Sequence, residues 1–157
     1  MRTLIFVGSF ILAFAVHAED THCKTSDNNF CNVKVSKIYD GDTITVDLPN
    51  VPPVFGKAIG VRILGIDTAE IRGKSECEKR AARTARKLVE NLIKSAKQVD
   101  ILNVQRDKYF RILGDVSIDG KLVKETLLKN NLAVSYFGKT KEKINWCQRV
   151  PANADGK

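Results

Sequence analysis

The sequence is poor in residues that bind soft metal ions and in long apolar segments. It contains only two histidines, His17 and His22, and none of its four cysteines forms a C-x-x-C pair. This scarcity argues against a zinc site, which needs such ligands at characteristic spacings. No segment after the first 18 residues is apolar enough to cross a membrane, so we expect the mature protein to be soluble and to bind no membrane. Internal repeats and low-complexity tracts are also missing from the sequence.

The amino terminus predicts a secretory signal peptide over residues 1–18. Arg2 gives a short positive start, an almost unbroken apolar run follows, and small residues lead up to Ala18. The run is too short to span a bilayer as a helix of the mature protein. An uncleaved membrane anchor is the alternative, but the acidic Glu19 follows directly. We therefore expect one exported domain over residues 19–157, located in the periplasm or outside the cell.

The chain is strongly basic, with a formal net charge of +8 at pH 7. A basic mature domain favours polyanionic partners, nucleic acid first and anionic membrane surfaces second. Many exported proteins are basic without a specific partner, so the charge alone does not decide between these explanations.

All four cysteines lie in the predicted mature domain. An even number of cysteines behind a signal peptide predicts two disulfides in an oxidising compartment. Three connectivities are possible, and we favour Cys23–Cys31 together with Cys77–Cys147. The first bond would close a short polar loop, and the second would tie the C-terminal tail to the body of the domain.

Apolar periodicity predicts three strands, a helix, two strands and a second helix. The strands are expected at residues 32–39, 43–48, 58–66, 99–104 and 111–118, the second helix at 121–131, and a loop at 49–57. The first helix is expected to begin after Ser75, because Ser75 and Glu78 have the spacing of a capping box. Five short strands with a helix after the third indicate an OB-like barrel capped by helices.

Two acidic turns supply candidate ligands for a hard cation. Asp40 and Asp42 flank Gly41 between the first two predicted strands. Asp67 and Glu70 follow the third predicted strand. Taken singly, each motif has a structural explanation, since Asp-Gly is a common turn and Asp67 could cap a bend. Together they offer several oxygen donors with no soft ligand nearby, the set that Ca²⁺ or Mg²⁺ prefers.

Basic residues occur where a phosphate could be bound. Arg62 lies among apolar residues of the third predicted strand, where an unpaired cation is costly. It either forms a structural salt bridge, for example to one of these acids, or clamps a phosphate, for which arginine is better suited than lysine. The segment 106–111 (RDKYFR) combines further cations with aromatic residues.

These residues stand in ordered blocks that resemble the staphylococcal (micrococcal) nuclease family. The blocks are IYDGDTITV (38–46), VRILGIDTAE (61–70), RDKYFR (106–111) and ETLLKNNLAV (125–134). The resemblance covers about residues 32–147, nearly the whole predicted mature chain. It implies a mainly β protein with helices (α+β), in which a five-stranded OB-fold β-barrel is capped by about three helices.

The resemblance also implies an activity. Members of this family are Ca²⁺-dependent endonucleases that hydrolyse phosphodiester bonds and leave 3′-phosphate ends. We therefore expect DNA and RNA as partners, single-stranded or as a locally opened duplex, and a monomer as the default state. A non-catalytic OB-fold module that binds nucleic acid is the alternative. A disulfide-stabilised surface protein is a third interpretation, but it leaves Arg62 within its apolar strand unexplained.

Four residues would form the metal site if the family pattern is carried over position by position. Asp42 and Asp67 would bind Ca²⁺ through their carboxylates, and Thr68 through its backbone carbonyl. Asp40 would support these ligands without touching the ion.

The remaining roles concern the substrate. Glu70 would be the general base for the attacking water, and Arg62 and Arg111 would bind the scissile phosphate. The family pattern assigns the neighbouring phosphate or nucleotide to Lys108 and Tyr109, and base stacking to Tyr136 or Phe137. A module that only binds nucleic acid would not need the acidic and arginine positions together, which favours the nuclease.

Three features depart from the family pattern. Ala69 stands where proline is usual, and Phe110 where glycine is usual. We expect Ala69 to loosen the turn that holds Asp67 and Glu70, and Phe110 to be strained if its position requires a positive φ. The stretch 71–75 is shorter than the mobile loop of the type protein, so substrate access should differ.

Overall fold

The computed structural model describes residues 23–106, 111–138, 140 and 142–150. The predicted signal peptide therefore lies outside the described residues, as do Lys108, Tyr109 and Phe110. The roles expected of these residues, and the boundary between signal peptide and domain, stay predictions.

Eight strands and four helices occur in the described part of the chain. The strands are β1 (Lys34–Ile38), β2 (Thr43–Asp47), β3 (Ile59–Ile63), β4 (Ile66–Thr68), β5 (Val99–Arg106), β6 (Ile112–Ile118), β7 (Lys121–Leu122) and β8 (Ala133–Ser135). The helices are α1 (Pro53–Gly56), α2 (Glu76–Ser95), α3 (Val123–Lys129) and α4 (Trp146–Arg149).

Five strands form the main path of a curled sheet. Their order is β1-β2-β3-β6-β5, with β7 paired to β6, and β4 and β8 form a separate two-stranded sheet. The β3–β6 pair is parallel and its neighbours are antiparallel. This mixed half-barrel with several helices confirms the predicted OB-fold α+β class. Each of the five strands of the path overlaps one of the five strands that the sequence predicts, with different bounds.

The core lies between this sheet and the helices. Its largest fully buried apolar side chains come from the strands and from α2 and α3: Ile44, Val46, Val61, Ile63, Ile66, Val89, Ile101, Val116, Val123 and Leu127. Alternate residues of β2 point into this core, as their period-two pattern predicts. None of the helices within the described residues has the length and apolar character needed to cross a bilayer.

The single strand predicted at 58–66 is wrong, because the chain breaks within it. β3 ends at Ile63, and Gly65 adopts a φ of +81°, a conformation that glycine reaches without a steric penalty. The turn directs β4 away from the main sheet to pair with β8. As a result, Asp67 and Thr68 lie in a second sheet rather than at the end of β3.

Smaller expectations were also wrong. The predicted loop at 49–57 contains the helical turn α1, which begins with a proline whose fixed φ suits the first helical position. The predicted helix at 121–131 starts two residues later, because residues 121 and 122 pair with β6 as β7. The strand β8 and the turn α4 were missed, since elements of three or four residues carry little periodicity.

The start of α2 follows the prediction in part. The Glu78 backbone N–H donates to the Ser75 hydroxyl at 3.2 Å, which confirms Ser75 as the N-cap. The reciprocal bond of a capping box is absent, because the Glu78 carboxylate accepts from the Lys74 backbone N–H at 3.0 Å instead. Glu78 therefore ties the preceding turn to the helix.

The cysteines lie close together in the two pairs favoured from the sequence, and their connectivity stays a prediction. The Cα–Cα distances are 5.7 Å for Cys23–Cys31 and 5.2 Å for Cys77–Cys147, within the range that a disulfide spans. Asp100 lies beside the first pair, with ligand atoms of all three residues within 4.8 Å of one another. Its carboxylate already accepts from the Asn32 backbone N–H at 2.8 Å, so its position has a structural explanation without a metal ion.

We expect loss of Cys77–Cys147 to destabilise the protein more than loss of Cys23–Cys31. The bonds join residues separated by 70 and 8 positions, and loops of these lengths are worth about 4 and about 2.5 kcal/mol in the chain-entropy model. Peptide mapping without reductant should identify both bonds, and urea unfolding of the two double serine variants measures the losses. A larger loss for Cys23→Ser/Cys31→Ser would contradict this explanation.

Candidate functional site

Arg62 joins the two acidic turns. Its Nη1 donates to Asp42 Oδ1 at 3.0 Å and its Nη2 to Asp67 Oδ1 at 2.6 Å. The guanidinium side chain is only 13% exposed, so the two carboxylates satisfy a cation that the apolar strand could not. The salt bridge considered from the sequence is present, and it involves both turns rather than one.

Hydrogen bonds fix both carboxylate oxygens of Asp42. The residue is 2% exposed, and its Oδ1 accepts from the Thr43 hydroxyl at 2.9 Å in addition to Arg62. Its Oδ2 accepts from the Thr68 backbone N–H at 3.1 Å. This last bond connects the first acidic turn directly to β4, so both oxygens of Asp42 are fixed relative to Asp67 and Thr68.

The cluster contains more buried negative charge than Arg62 balances. Asp40, Asp42 and Asp67 are all 9% exposed or less. Burial raises the pKa of Asp40 to about 7, and the charge of Asp42 adds to the rise. Burial also raises the pKa of Asp42, against the opposing effect of Arg62. A bound cation would relieve this excess.

The donors fit a hard divalent cation. Asp42 and Asp67 offer carboxylate oxygens, Asp40 lies beside Asp42, and Thr68 reaches the cluster through its backbone N–H. Ca²⁺ and Mg²⁺ prefer oxygen ligands and complete their shells with water. Within the described residues no three carboxylates of the cluster offer oxygens that all lie within 4.8 Å of one another. Asp40, Asp42 and Asp67 therefore do not converge on one point in this structure.

Glu70 lies at the exposed edge of the buried cluster. Its backbone carbonyl accepts from the Gly73 N–H at 2.9 Å, which closes a tight turn after β4. The preceding Ala69 is 1% exposed and belongs to the core. The buried side chain of Ala69 thus fixes the turn at the position where the family pattern usually has proline. The charge of Glu70 contributes to the raised pKa of Asp40, which places the two carboxylates within electrostatic reach.

A groove of about 760 Å³ brings together five of the predicted residues. They are Arg62, Glu70, Arg111, Tyr136 and Phe137. Phe137 is 80% exposed, so a search for buried residues alone would not have placed it in the groove.

Two glycines shape this groove. A Cβ at Gly60 would lie 3.1 Å from Arg111 Cγ, so the absence of a side chain lets the arginine cross β3. A Cβ at Gly65 would lie 3.4 Å from the Phe137 ring, and the Tyr136 N–H donates to the Gly65 carbonyl at 2.9 Å. The aromatic wall is therefore packed directly on backbone.

The comparison with protein families decides the assignment. The model of the family described as "Staphylococcal nuclease homologue" matches residues 60–156, more than half of the chain. The chain belongs to this family. The match confirms the resemblance found from the sequence motifs. The matched region begins at residue 60. The turn that carries Asp40 and Asp42 is part of the site but lies outside the matched region.

Curated relatives of this nuclease-family chain include two bacterial proteins and one plant protein. Endonuclease YncB of Bacillus subtilis (strain 168) is 40% identical over 104 residues, which are 65% of this chain and 46% of that protein. The SPbeta prophage-derived endonuclease YokF of the same organism is 38% identical over 65% of this chain and 33% of its own length. The staphylococcal-like nuclease CAN1 of Arabidopsis thaliana is 34% identical over 59% of this chain and 27% of its own length. This chain thus matches less than half the length of each of these relatives.

Sequence reasoning missed the residue that packs α2 against the first acidic turn. Gly41 is buried between Asp40 and Asp42, and a Cβ there would lie 2.7 Å from Ala85 Cβ and 3.0 Å from Thr68 Cγ2. α2 and β4 therefore lie so close to the turn that a side chain at position 41 would collide with them. The Asp-Gly-Asp motif indicates a turn in the sequence, but it does not reveal that position 41 must be glycine for α2 to pack against that turn.

We expect Gly41→Ala to destabilise the protein by about 1–3 kcal/mol, the usual cost of overpacking. Ala85→Gly alone should cost about 1 kcal/mol through helix propensity. The double variant should be more stable than the sum of the two losses predicts, because the second change removes the atom that the new methyl meets. Urea unfolding of the four proteins measures this coupling. Strictly additive losses would show that the Gly41–Ala85 contact does not matter.

Proposed function

We propose that the protein is an exported, Ca²⁺-dependent endonuclease that hydrolyses phosphodiester bonds in DNA and RNA and leaves 3′-phosphate ends. The observation that carries the proposal is that two arginines and an exposed glutamate line one groove, and that one of these arginines, Arg62, pairs with the buried acid cluster. Membership of the staphylococcal nuclease family and the names of the two bacterial relatives support the activity.

The arginines supply the contacts that a phosphodiester needs. Arg62 and Arg111 both line the groove, and a guanidinium binds two phosphate oxygens at once. The acid contacts of Arg62 use two of its five N–H donors, so the residue can be oriented by Asp42 and Asp67 while it binds phosphate. Negative charge grows on the phosphate oxygens during attack by water, and fixed cationic donors stabilise that charge.

Glu70 is suited to accept the proton of the attacking water. It is exposed to the groove, whereas the carboxylates of Asp40 and Asp42 are buried. A carboxylate within hydrogen-bond reach of the water can act as general base, which typically contributes 10²–10⁴-fold to the rate. The tight turn after β4 holds Glu70 next to the acid cluster. The same cluster orients Arg62, so the general base and this phosphate contact are positioned by the same residues.

The acid cluster would hold the cation. Asp42 and Asp67 would bind Ca²⁺ through carboxylates and Thr68 through its carbonyl, with Asp40 in support. When bound, the ion would stabilise charge on the phosphate oxygens. The excess of buried negative charge supports this role, because it leaves the cluster short of one cation.

The aromatic wall suits unpaired bases. Tyr136 lines the groove beside Phe137, whose ring is 80% exposed and rests on Gly65. Stacking on such rings tolerates any base, which favours single strands or a locally opened duplex and accommodates both DNA and RNA. Lys108 and Tyr109 complete this part of the proposal as contacts to a neighbouring phosphate. Export is part of the proposal because residues 1–18 have the pattern of a signal peptide, and a monomer is the default state.

A digestion assay on residues 19–157 tests the whole proposal. We expect cleavage of single-stranded DNA, opened duplex and RNA in Ca²⁺, no cleavage in chelator, and 3′-phosphate ends on the products. Ca²⁺ should also raise the melting temperature, because it binds the folded cluster in preference to the unfolded chain. Binding of nucleic acid without cleavage in either Ca²⁺ or Mg²⁺ would support the non-catalytic module instead.

We expect Glu70→Gln to lower kcat by 10²–10⁴-fold, the range typical of a lost general base. The change keeps the size of the side chain, so the melting temperature and its rise with Ca²⁺ should stay close to wild type. Glu125→Gln is the matched control, since Glu125 is an exposed acid on α3. Wild-type turnover in Glu70→Gln would remove Glu70 from its assigned role.

A further inference from the structure

A second cavity adjoins the acid cluster and is lined by Asp67, Thr68 and Glu70, but by neither arginine. It has a volume of about 620 Å³. One wall is formed by residues 142–147, and another by the turn that contains Lys74. Asp67, Thr68 and Glu70 have proposed catalytic roles, whereas the other residues that line this cavity have none.

The proposed catalytic residues are divided between the two cavities. Arg62 and Arg111 line the groove, whereas Asp67 and Thr68 line the second cavity. Glu70 lines both. A phosphate that contacts the arginines and lies within reach of Glu70 is therefore located where the two cavities meet.

A polynucleotide must extend from such a phosphate in two directions. The aromatic groove can receive the nucleotide on one side. We propose that the second cavity binds the nucleotide on the other side of the scissile phosphate, and that Lys74 and Lys143 contact the next phosphate at its mouth. This inference rests on the proposed nuclease function and extends it, since a continuous track on both sides is what cleavage within a chain requires.

The lining of the second cavity carries four acids and two lysines, so only the lysines can form ion pairs with a backbone phosphate there. Apart from the acids of the catalytic cluster, its walls carry Lys74 and Lys143 against Glu78 and Glu142. Both lysines are exposed, which places their ammonium groups where a backbone phosphate can pass. The Glu78 carboxylate accepts from the Lys74 N–H at 3.0 Å, so part of its charge is already engaged.

Both walls are fixed without ligand. Trp146 is 7% and Val150 is 2% exposed, so the C-terminal wall is anchored in the core. Cys77–Cys147 ties the same wall to the start of α2. The half-buried Ile144 adds an apolar surface for a sugar or a base. A preformed site avoids the ordering cost that binding would otherwise carry.

Binding measured in chelator tests the proposal independently of cleavage. The variant is Lys74→Ala/Lys143→Ala, and the two probes are a short single-stranded DNA oligonucleotide and a nucleoside 3′,5′-bisphosphate, whose charge favours the two arginines of the groove over the acidic second cavity. We expect the variant to bind the oligonucleotide about tenfold more weakly, with a salt dependence shallower by about 0.7 for each lost phosphate contact. Affinity for the bisphosphate should be unchanged.

The matched control is Lys94→Ala/Lys97→Ala. Both lysines are exposed near the far end of α2, roughly 30 Å along the helix from the second cavity, so affinity for both probes should stay close to wild type. Equal weakening of both probes by Lys74→Ala/Lys143→Ala, or no weakening of either, would overturn the proposal. A wild-type protein that binds both probes but cuts no substrate would instead overturn the nuclease function.

Discussion

The pairing of Arg62 with Asp42 and Asp67 is the interaction on which the site depends. It connects a turn between β1 and β2 to a strand of another sheet, with donor–acceptor distances of 3.0 and 2.6 Å. Removing one partner from a buried ion pair leaves an uncompensated charge, which is strongly destabilising. The cluster still holds an excess of negative charge, so the same contacts that stabilise the fold leave a place for a cation.

Small residues bring the supporting elements close enough for this pairing. Gly41 lets α2 approach the acidic turn at Ala85, and Gly60 lets Arg111 cross β3. Gly65 turns the chain so that β4 can pair with β8. Arg62, Asp67 and Thr68 are thereby held on strands, and Asp42 lies in a turn that is fixed by its bonds to Arg62 and Thr68, which limits the positional error that catalysis tolerates poorly.

The two cavities define a path for a bound polynucleotide across the site. Glu70 stands where they meet, with guanidinium groups on one side and carboxylates on the other. A polymer threaded through both cavities would present one phosphate at this junction at a time. The second cavity depends on the C-terminal wall that Cys147 and Trp146 hold in place.

Short-range chemistry determined much of this protein from its sequence. Alternation along the strands, the cap at Ser75 and the acidic and arginine blocks are visible within a few neighbouring residues, and they were sufficient for the OB-fold class and the family. Only the tertiary structure decided that Arg62 contacts both acidic turns, that the chain breaks at Gly65, and that two cavities meet at Glu70. These features depend on packing between residues distant in sequence, such as Gly41 against Ala85, and local periodicity contains no information about such distances.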